Sequence, residues 1–377
     1  MLNYRIVSKK GEGTFSEVMR AVQTSTGRNF AIKCMKRPFD TIDEVNKLLE
    51  IQALRKLNGH PHIVQLREVL FEDHRLAMVF ELMEMNVYEA IKDRRTYLPE
   101  SRVVKWMFDL CQAIGFMHRN NFFHRDVKPE NLLLIDDVLK LADLGSCSCV
   151  SSKQPFTEYI STRWYRAPEC LLTSGFYSAK MDVWAAGCVF FELLTLNPLF
   201  PGKNELDQIH KIHSILGTPS DDLLAAFRVQ GADHLRGVKF SSIRGSGFSM
   251  KLTHCSADAV AAIGEMITYD QAKRPSAAGA LRLSVFARNR SESLSPVSTT
   301  SSESSRQFVP PLSIPKAGVP FKASSLHAHG NYNNPYWKRS PRSQSMLFPK
   351  LSNSNTARAR FLSSHKANCL LASARHV

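Results

Sequence analysis

Short apolar and polar stretches alternate along the first 36 residues, and glycine-containing turns at residues 11–13 and 26–28 interrupt them. This pattern of alternation predicts three antiparallel strands. Two further apolar segments, at residues 63–71 and 76–81, have the length of strands. The sequence therefore predicts that the chain begins with a five-stranded antiparallel sheet.

A helical pattern separates the third predicted strand from the fourth. Residues 43–57 carry leucine and isoleucine at helical spacing and are followed by Asn58 and Gly59, which predicts one helix with a C-terminal stop. Residues 100–286 are mainly helical in pattern, with glycine and proline concentrated in the loops of residues 122–168. A sheet followed by a run of helices predicts an α+β fold with function carried on the loops.

The composition predicts two folded lobes and a tail. We expect a small lobe at residues 4–82 and a large lobe at residues 83–287, which together form one domain. Residues 288–377 are rich in serine, proline and basic side chains, so they are expected to be disordered. The formal charge of the chain is +15, and the tail contributes 13 Lys/Arg minus 2 Asp/Glu, or +11. The remaining residues carry only 36 minus 32, or +4.

Cysteine spacing and hydropathy indicate the cellular compartment. The eight cysteines include no C-x-x-C pair, so neither a disulfide framework nor a zinc knuckle is expected. The longest apolar run, residues 183–194, contains Glu192 and is too short to span a bilayer. The first residues resemble neither a signal peptide nor a myristoylation site. We expect a reducing compartment and no membrane segment.

One octapeptide, His-Arg-Asp-Val-Lys-Pro-Glu-Asn at residues 124–131, carries the densest chemistry in the chain. Asp143, Leu144 and Gly145 follow it at a distance of twelve residues. A hydroxyl that attacks a phosphate needs a carboxylate to accept its proton, and oxygen ligands to hold Mg²⁺ against a triphosphate. Asp126 is the candidate base, and Asn131 and Asp143 are the candidate metal ligands. The spacing therefore predicts phosphoryl transfer from ATP.

A glycine-rich hairpin supports this interpretation. Residues 11–18 have the form G-x-G-x-x-S-x-V, which is typical of a loop that covers phosphates. Lys33 lies on the third predicted strand, from which it can reach the α- and β-phosphates. Lys33 needs a carboxylate partner, and Glu50 on the predicted helix is the candidate. The alternative for Glu50 is a solvent-facing position, because Glu44 lies on the same helix.

Three more segments carry a family resemblance: Thr-Glu-Tyr at residues 157–159, Ser-Thr-Arg-Trp-Tyr-Arg-Ala-Pro-Glu at residues 161–169, and residues 204–219. With them, residues 4–219 resemble the cyclin-dependent and mitogen-activated branch of Ser/Thr protein kinases. The resemblance implies a bilobal protein kinase fold, with the sheet and one helix in the small lobe and a mainly helical large lobe. ATP and Mg²⁺ are the implied cofactors.

The resemblance also implies positions for the structural and nucleotide-binding residues. Asp182 and Trp184 would brace the catalytic loop, and Glu169 would pair with Arg274 in the large lobe. Phe80 would lie behind the adenine base. The implied ATP-binding residues are Lys10, Gly11, Glu12, Gly13, Thr14, Phe15, Ser16, Glu17, Val18, Ala31, Lys33, Glu81, Met83 and Leu133.

Substrate choice is indicated by the residues around the base. Lys128, two residues after Asp126, can approach the transferred phosphate, as in kinases that act on serine and threonine, and Thr162 resembles a threonine that contacts both side chains. In the family, the residue at the Ser161 position turns its carbonyl toward the arginine at the Arg166 position. Ser161 and Thr162 therefore form the expected substrate pocket, and Ser/Thr-Pro sites are the expected substrates.

The Thr157-Glu158-Tyr159 motif predicts an activation switch. It lies between Asp143 and Pro168, in the span that kinases order by phosphorylation. A phosphate at Tyr159 would lie beside Arg163 and Arg166, and one at Thr157 could reach Arg125. Either an upstream kinase or the chain itself would add these phosphates.

Two other functions fit parts of the sequence. A pseudokinase scaffold would have lost a catalytic residue, whereas Lys33, Asp126, Asn131 and Asp143 are all present. A nucleic-acid-binding tail would use its interspersed arginine and aromatic residues, but a basic tail of this kind more often regulates or targets a protein. We therefore expect a monomeric enzyme with protein substrates and no nucleic-acid partner, located in the cytoplasm and also in the nucleus or cilium.

Overall fold

A five-stranded antiparallel sheet forms the small lobe of the computed structural model, which describes residues 3–157, 162–231 and 237–294. Its strands are β1 (Tyr4–Glu12), β2 (Ser16–Gln23), β3 (Asn29–Met35), β4 (Leu66–Glu72) and β5 (Arg75–Glu81). They lie in the order β1-β2-β3-β5-β4, and every neighbouring pair is antiparallel. The predicted sheet is therefore confirmed.

The helical segment of the small lobe is broken at Leu48, where the sequence predicts one continuous helix. Helix α1 (Ile42–Lys47) and helix α2 (Leu49–Leu57) flank this residue, whose extended backbone has ψ 127°. Val45 and Ile51 are both fully buried. In a continuous helix these two positions would lie about 120° apart around the axis, so the break allows both to face the core.

Helices dominate the large lobe, as the sequence predicts. They are α3 (Val87–Ile91), α4 (Glu100–Arg119), α5 (Pro168–Leu172), α6 (Lys180–Thr195), α7 (Glu205–Leu216), α8 (Asp221–Val229), α9 (Ala257–Met266), α10 (Ala277–Ala280) and α11 (Ala287–Leu294). Helix α6 is buried at every residue from Met181 to Thr195 and packs against α4 and α9. An apolar surface on all sides suits a helix at the centre of a lobe.

Short strands that the sequence pattern did not predict lie in the chain between β5 and α5. They are β6 (Met85–Asn86), β7 (Phe122–Phe123), β8 (Leu132–Ile135), β9 (Val138–Leu141) and β10 (Ser148–Cys149). Strands β6, β8 and β9 form one small sheet, and β7 pairs with β10. Strands of two to four residues leave no detectable alternation, yet these pairings fix both ends of the octapeptide at residues 124–131.

A buried ion pair joins two distant parts of the large lobe. The Arg274 guanidinium donates to both carboxylate oxygens of Glu169, at 2.6 and 2.9 Å, and both side chains are fully buried. The guanidinium also donates to the Thr268 carbonyl oxygen at 3.0 Å and lies 5.0 Å from the centre of the Trp184 ring. The bidentate geometry and the additional acceptor offset the desolvation of the two charges.

The first residues of the segment for which the sequence predicts disorder belong to helix α11. Arg290 donates to the carbonyl oxygens of Leu281 and Leu283, both at 2.8 Å, and so attaches α11 to the large lobe. Predicted disorder therefore does not extend over these first tail residues, and the remainder of the tail lies outside the described residues. Within the described residues, none of the helices combines the length and the apolar character that crossing a membrane requires.

Candidate active site

A cleft of about 530 Å³ opens between the small sheet and the catalytic octapeptide. Its walls include the α2 helix, the segment that follows β5, and strand β8. Of the fourteen residues that the resemblance assigns to ATP, eleven line this cleft: Lys10, Gly11, Glu12, Gly13, Ser16, Val18, Ala31, Lys33, Glu81, Met83 and Leu133. The β1–β2 hairpin therefore forms one wall of a cavity of the size typical for a small-molecule ligand.

The other three assigned residues lie away from the cavity. Thr14 and Phe15 form the turn between β1 and β2, and the Phe15 side chain is 75% exposed. Glu17 directs its carboxylate to the Lys9 amine at 3.0 Å, on the exposed side of the hairpin. Conversely, Val64 and Ala142 line the cleft although the sequence did not indicate them, because single apolar residues carry no pattern.

Lys33 lies between two carboxylates at the back of the cleft. Its amine donates to Glu50 at 2.7 Å and to Asp143 at 2.8 Å. Burial alone would lower the pKa of Lys33, but the charges of Asp143 and Glu50 raise it above the ordinary value. For Asp143 burial acts to raise the pKa, and Lys33 brings it below the ordinary value. Glu50 thus faces the cleft and not the solvent.

Backbone conformation brings Asp143 into this contact. Asp143 has φ 59°, in the left-handed region that few residues other than glycine adopt. Gly145 follows closely, and a Cβ atom there would lie 3.3 Å from an oxygen of Asp143 and 3.4 Å from one of Glu50. Any larger residue at position 145 would crowd both carboxylates. The absence of a side chain at Gly145 therefore allows Asp143 and Glu50 to contact Lys33 together.

The octapeptide places the candidate base beside the candidate metal ligand. Asp126 is 7% exposed, and its carboxylate accepts a hydrogen bond from the Lys128 amine at 2.9 Å. The Asn131 side-chain amide donates to the Asp126 carbonyl oxygen at 2.8 Å. Since the amide nitrogen is used in this bond, the amide oxygen of Asn131 remains for a cation in the cleft.

Asp182 on helix α6 holds the start of the octapeptide. Its carboxylate accepts from the backbone N–H groups of His124 and Arg125, both at 2.8 Å, and from the His118 ring at 2.9 Å. Burial would raise the pKa of Asp182, but the hydrogen bond and charge of His118, with further contributions from His124, lower it. The predicted bracing of the loop by Asp182 is confirmed by these contacts.

His124 is fully buried and links two segments of the site. Its Nδ1 accepts the Asp126 N–H at 3.2 Å, and its Nε2 lies 2.9 Å from the Ala142 carbonyl oxygen. A neutral ring that carries its proton on Nε2 satisfies both partners. His124 therefore joins the segment of the base to the residue that precedes Asp143.

The arginine that precedes the base contacts one of the two predicted phosphorylation sites. The Arg125 guanidinium donates to the Thr157 hydroxyl at 2.9 Å, to the Tyr177 hydroxyl at 3.1 Å and to the Ser146 carbonyl oxygen at 2.6 Å. The Tyr177 hydroxyl in turn donates to the Thr157 carbonyl oxygen at 2.8 Å. Tyr159, the other predicted site, lies outside the described residues.

The remaining predicted substrate and phosphate contacts lie around a helical turn at Arg163–Tyr165. Thr162 precedes this turn, and Ser161 lies outside the described residues. The Arg163 side chain approaches the Lys203 carbonyl oxygen at 3.5 Å, and its buried Nε has no hydrogen-bond partner within the described part of the chain. Arg166 is 3% exposed and contacts Glu205 at 3.2 Å.

Sequence reasoning missed a buried acid next to this turn. The Tyr165 hydroxyl donates to the Glu192 carboxylate at 2.7 Å, and Glu192 is 6% exposed. Burial raises the pKa of Glu192 to about 7, against the lowering effect of the Tyr165 hydrogen bond, and the charge of Glu130 raises it further. In the sequence, Glu192 is a single polar residue inside the apolar run of α6, and nothing near it in the chain indicates a partner.

Comparisons with known proteins agree with this geometry. The protein kinase domain family matches residues 4–286. The human MAPK/MAK/MRK overlapping kinase is 51% identical over 292 residues, which cover 77% of this chain and 69% of that protein. Cyclin-dependent kinase F-4 of Oryza sativa subsp. japonica is 40% identical over 321 residues, 85% of this chain and 65% of that protein. The mouse serine/threonine-protein kinase MAK is 40% identical over 288 residues, 76% of this chain and 46% of that protein.

The raised pKa of Glu192 predicts a pH-dependent contribution to stability. The group titrates at about 7 in the folded chain against an ordinary value of 4.5, so the folded state holds the proton more tightly. This contribution is complete below pH 4.5 and is lost as the pH rises through 7, a change of about 3 kcal/mol. In Glu192→Gln, the free energy of unfolding measured in urea should therefore fall less steeply with rising pH than in the native chain.

The matched control for this change is Glu265→Gln on helix α9, because the Glu265 side chain is exposed. It should retain the pH slope of the native chain. Identical slopes for the native chain and Glu192→Gln would show that Glu192 does not titrate between these pH values.

Proposed function

This chain belongs to the protein kinase family, and from that premise we propose that it transfers the γ-phosphoryl group of ATP to serine or threonine residues that precede proline. The observation that carries the proposal is that Lys33, Asn131 and Asp143 line one cleft and that Asn131 bonds to Asp126 beside it. Lys33 and Asp143 are in contact at 2.8 Å, and the amide of Asn131 bonds to Asp126 at 2.8 Å. A scaffold without catalysis would not need all four.

The cleft suits a nucleotide that is bound with a magnesium ion. Asp143 offers a carboxylate that is 47% exposed, and Asn131 offers its amide oxygen. Hard oxygen donors in this small number suit Mg²⁺, which completes its shell with phosphate oxygens and water. When bound, the ion would neutralise charge on the phosphates. Lys33 would bind the phosphates from the β3 side, and Glu50 would keep its amine in position.

Asp126 would act on the substrate hydroxyl. Asp126 is mostly buried and lies in the same loop as Asn131, which bonds to its backbone carbonyl oxygen. A substrate hydroxyl held at the carboxylate would be oriented and would give up its proton there. Lys128 already contacts this carboxylate at 2.9 Å. The positive charge of the Lys128 amine in that position would stabilise the charge on the transferred phosphoryl group. This is the role expected of that lysine in Ser/Thr kinases.

The proposed preference for proline rests on the family resemblance, because Ser161 lies outside the described residues. In the kinase branch that the chain resembles, the carbonyl at this position turns toward the arginine at the Arg166 position, and Arg166 is here buried beside the turn that follows Thr162. That carbonyl cannot accept a bond from the next substrate amide. An ordinary residue would leave a buried N–H unpaired, at about 1–3 kcal/mol, whereas proline has no N–H.

Activation would depend on phosphates at Thr157 and Tyr159. Arg125 already lies within hydrogen-bond distance of the Thr157 hydroxyl, so a phosphate added there would meet a guanidinium without a large movement. The Nε of Arg163, which lacks a partner within the described residues, supports the same role for Tyr159. Either another kinase or this chain itself would add the two phosphates.

The base assignment is tested with Asp126→Asn. Turnover should fall by about 10² to 10⁴, the usual contribution of a positioned general base, while ATP still binds. The measurements are kcat on a Ser-Pro peptide and nucleotide affinity by calorimetry. The same change at exposed Asp136, in the turn between β8 and β9, is the matched control and should leave kcat unaltered. Native turnover in Asp126→Asn would refute the assignment.

Substrate preference is tested with two peptides that differ only after the phosphoacceptor. A Ser-Pro peptide should have a kcat/KM about ten to a hundred times that of the matched Ser-Ala peptide, from the cost of the unpaired N–H. Equal values would remove the proline preference and leave the kinase activity unaffected.

The activation proposal is tested with Thr157→Ala and Tyr159→Phe. Each should reduce activity toward an outside peptide, because each removes a hydroxyl that would carry a phosphate. Thermal stability should be unchanged in Thr157→Ala, since Thr157 is exposed. The exposed Tyr88→Phe serves as the control that should retain activity. Phosphopeptide mapping of the active native enzyme completes the test, since full activity with both residues unmodified would contradict the proposal.

A further inference from the structure

Tyr177 joins the segment that carries Thr157 to the residue that precedes the candidate base. It lies between α5 and α6 and is 1% exposed. Its hydroxyl donates to the Thr157 carbonyl oxygen at 2.8 Å and accepts from the Arg125 guanidinium at 3.1 Å. The single proton of the hydroxyl is thus used toward one segment, and an oxygen lone pair is used toward the other. All three residues lie outside the lining of the cleft.

Three aromatic rings from three segments fix the position of this hydroxyl. The centre of the Tyr177 ring lies 5.1 Å from that of Phe156 and 6.3 Å from that of Phe123, and the two phenylalanine rings are 5.2 Å apart. Phe123 is fully buried in β7, directly before the octapeptide, and Phe156 directly precedes Thr157. Edge-on and tilted ring contacts of this kind are favourable. Packing therefore holds the hydroxyl where both of its partners reach it.

The backbone before Thr157 is attached to the same part of the large lobe. The Phe156 N–H donates to the Gly175 carbonyl oxygen at 2.8 Å, and the Gln154 side-chain amide donates to the Tyr177 carbonyl oxygen at 2.8 Å. Gly175 has φ 83°, and a Cβ atom there would overlap the Phe156 carbonyl oxygen. Only glycine allows so close an approach. Residues 154–157 are therefore docked by groups of the unmodified chain.

Arg125 has no acidic partner within the described residues. Its guanidinium donates to three neutral acceptors, the hydroxyls of Thr157 and Tyr177 and the carbonyl oxygen of Ser146. Burial raises the pKa of Tyr177 to about 12, although the charge of Arg125 acts to lower it. The tyrosine therefore stays protonated at neutral pH and continues to donate to Thr157. A phosphate on Thr157 would supply the anion that this guanidinium lacks.

We propose that Tyr177 is a positioning residue that docks residues 154–157 before any phosphate is added, so that the dephosphorylated kinase retains part of its activity. The inference rests on the proposed function of the cleft and deepens the proposed activation. Tyr177 acts through Arg125, which directly precedes the candidate base. Phosphate on Thr157 then strengthens a contact that already exists, because an ion pair with Arg125 replaces the weaker bond between the guanidinium and a hydroxyl.

The activity test uses the full chain in two forms, dephosphorylated and phosphorylated at Thr157, and phosphopeptide mapping identifies each form. Tyr177→Phe removes the hydroxyl and keeps the ring. In the dephosphorylated form it should lower kcat on an outside Ser-Pro peptide about three- to tenfold, the factor for one neutral hydrogen bond, and leave the KM for ATP unaltered. In the phosphorylated form the loss should be less than about twofold, since the ion pair with Arg125 holds the segment.

A second measurement does not depend on catalysis. Hydrogen exchange in residues 154–157 of the dephosphorylated full chain, followed by mass spectrometry, should be faster in Tyr177→Phe than in the native chain, because the docked conformation protects the Phe156 N–H. Tyr269→Phe is the matched control. It also removes a hydroxyl from the large lobe, one that lies 2.9 Å from the His213 ring, and it should change neither kcat nor the exchange in residues 154–157.

Native kcat in dephosphorylated Tyr177→Phe would overturn the inference. An equal loss of kcat in the two forms would overturn it as well, because it would indicate a general structural role for the hydroxyl. A native chain that is active only with phosphate on Thr157 would contradict the inference and leave the proposed function in place. A native chain that is inactive in both forms would contradict the proposed function, and the exchange measurement would still decide whether Tyr177 docks the segment.

Discussion

The Asp182 carboxylate is the interaction on which the active site depends. It is 1% exposed and accepts hydrogen bonds from the backbone of His124 and Arg125 and from the His118 ring. A buried carboxylate is costly unless donors surround it, and here two of the three donors belong to the octapeptide at residues 124–131. Because α6 lies at the centre of the large lobe, Asp182 anchors the residue before the candidate base to that core.

Arg125 shows what this attachment makes possible. Its φ of 69° is unfavourable for a residue with a side chain, and the hydrogen bond from its N–H to Asp182 helps to maintain it. In this conformation the guanidinium reaches Ser146, which follows the candidate metal ligand Asp143, and Thr157, in the predicted activation segment. One residue thus contacts both segments whose positions activation would have to coordinate.

The candidate site is recognisable in the sequence because its proposed chemistry depends on spacing within short segments. The octapeptide, Asp143 and Lys33 are recognisable from that spacing alone. For Glu50 the sequence left a solvent-facing position open, and the 2.7 Å hydrogen bond from the Lys33 amine to its carboxylate excludes that alternative. The break at Leu48 was not predictable from the sequence. The spacing of apolar residues shows which side chains are to be buried, but it does not show whether one straight helix can bury all of them. Glu192 was missed for a related reason, because its partner Tyr165 is 27 positions away.

The charges of the residues with proposed chemical roles favour a nucleotide that carries a cation. Among them, Lys33 and Lys128 contribute two positive charges and Glu50, Asp143 and Asp126 three negative ones, so these five groups sum to one negative charge. The low pKa of Asp143 and the raised pKa of Lys33 keep that pair ionised. A bare triphosphate would be repelled by this set, whereas a triphosphate with a divalent ion reverses the balance.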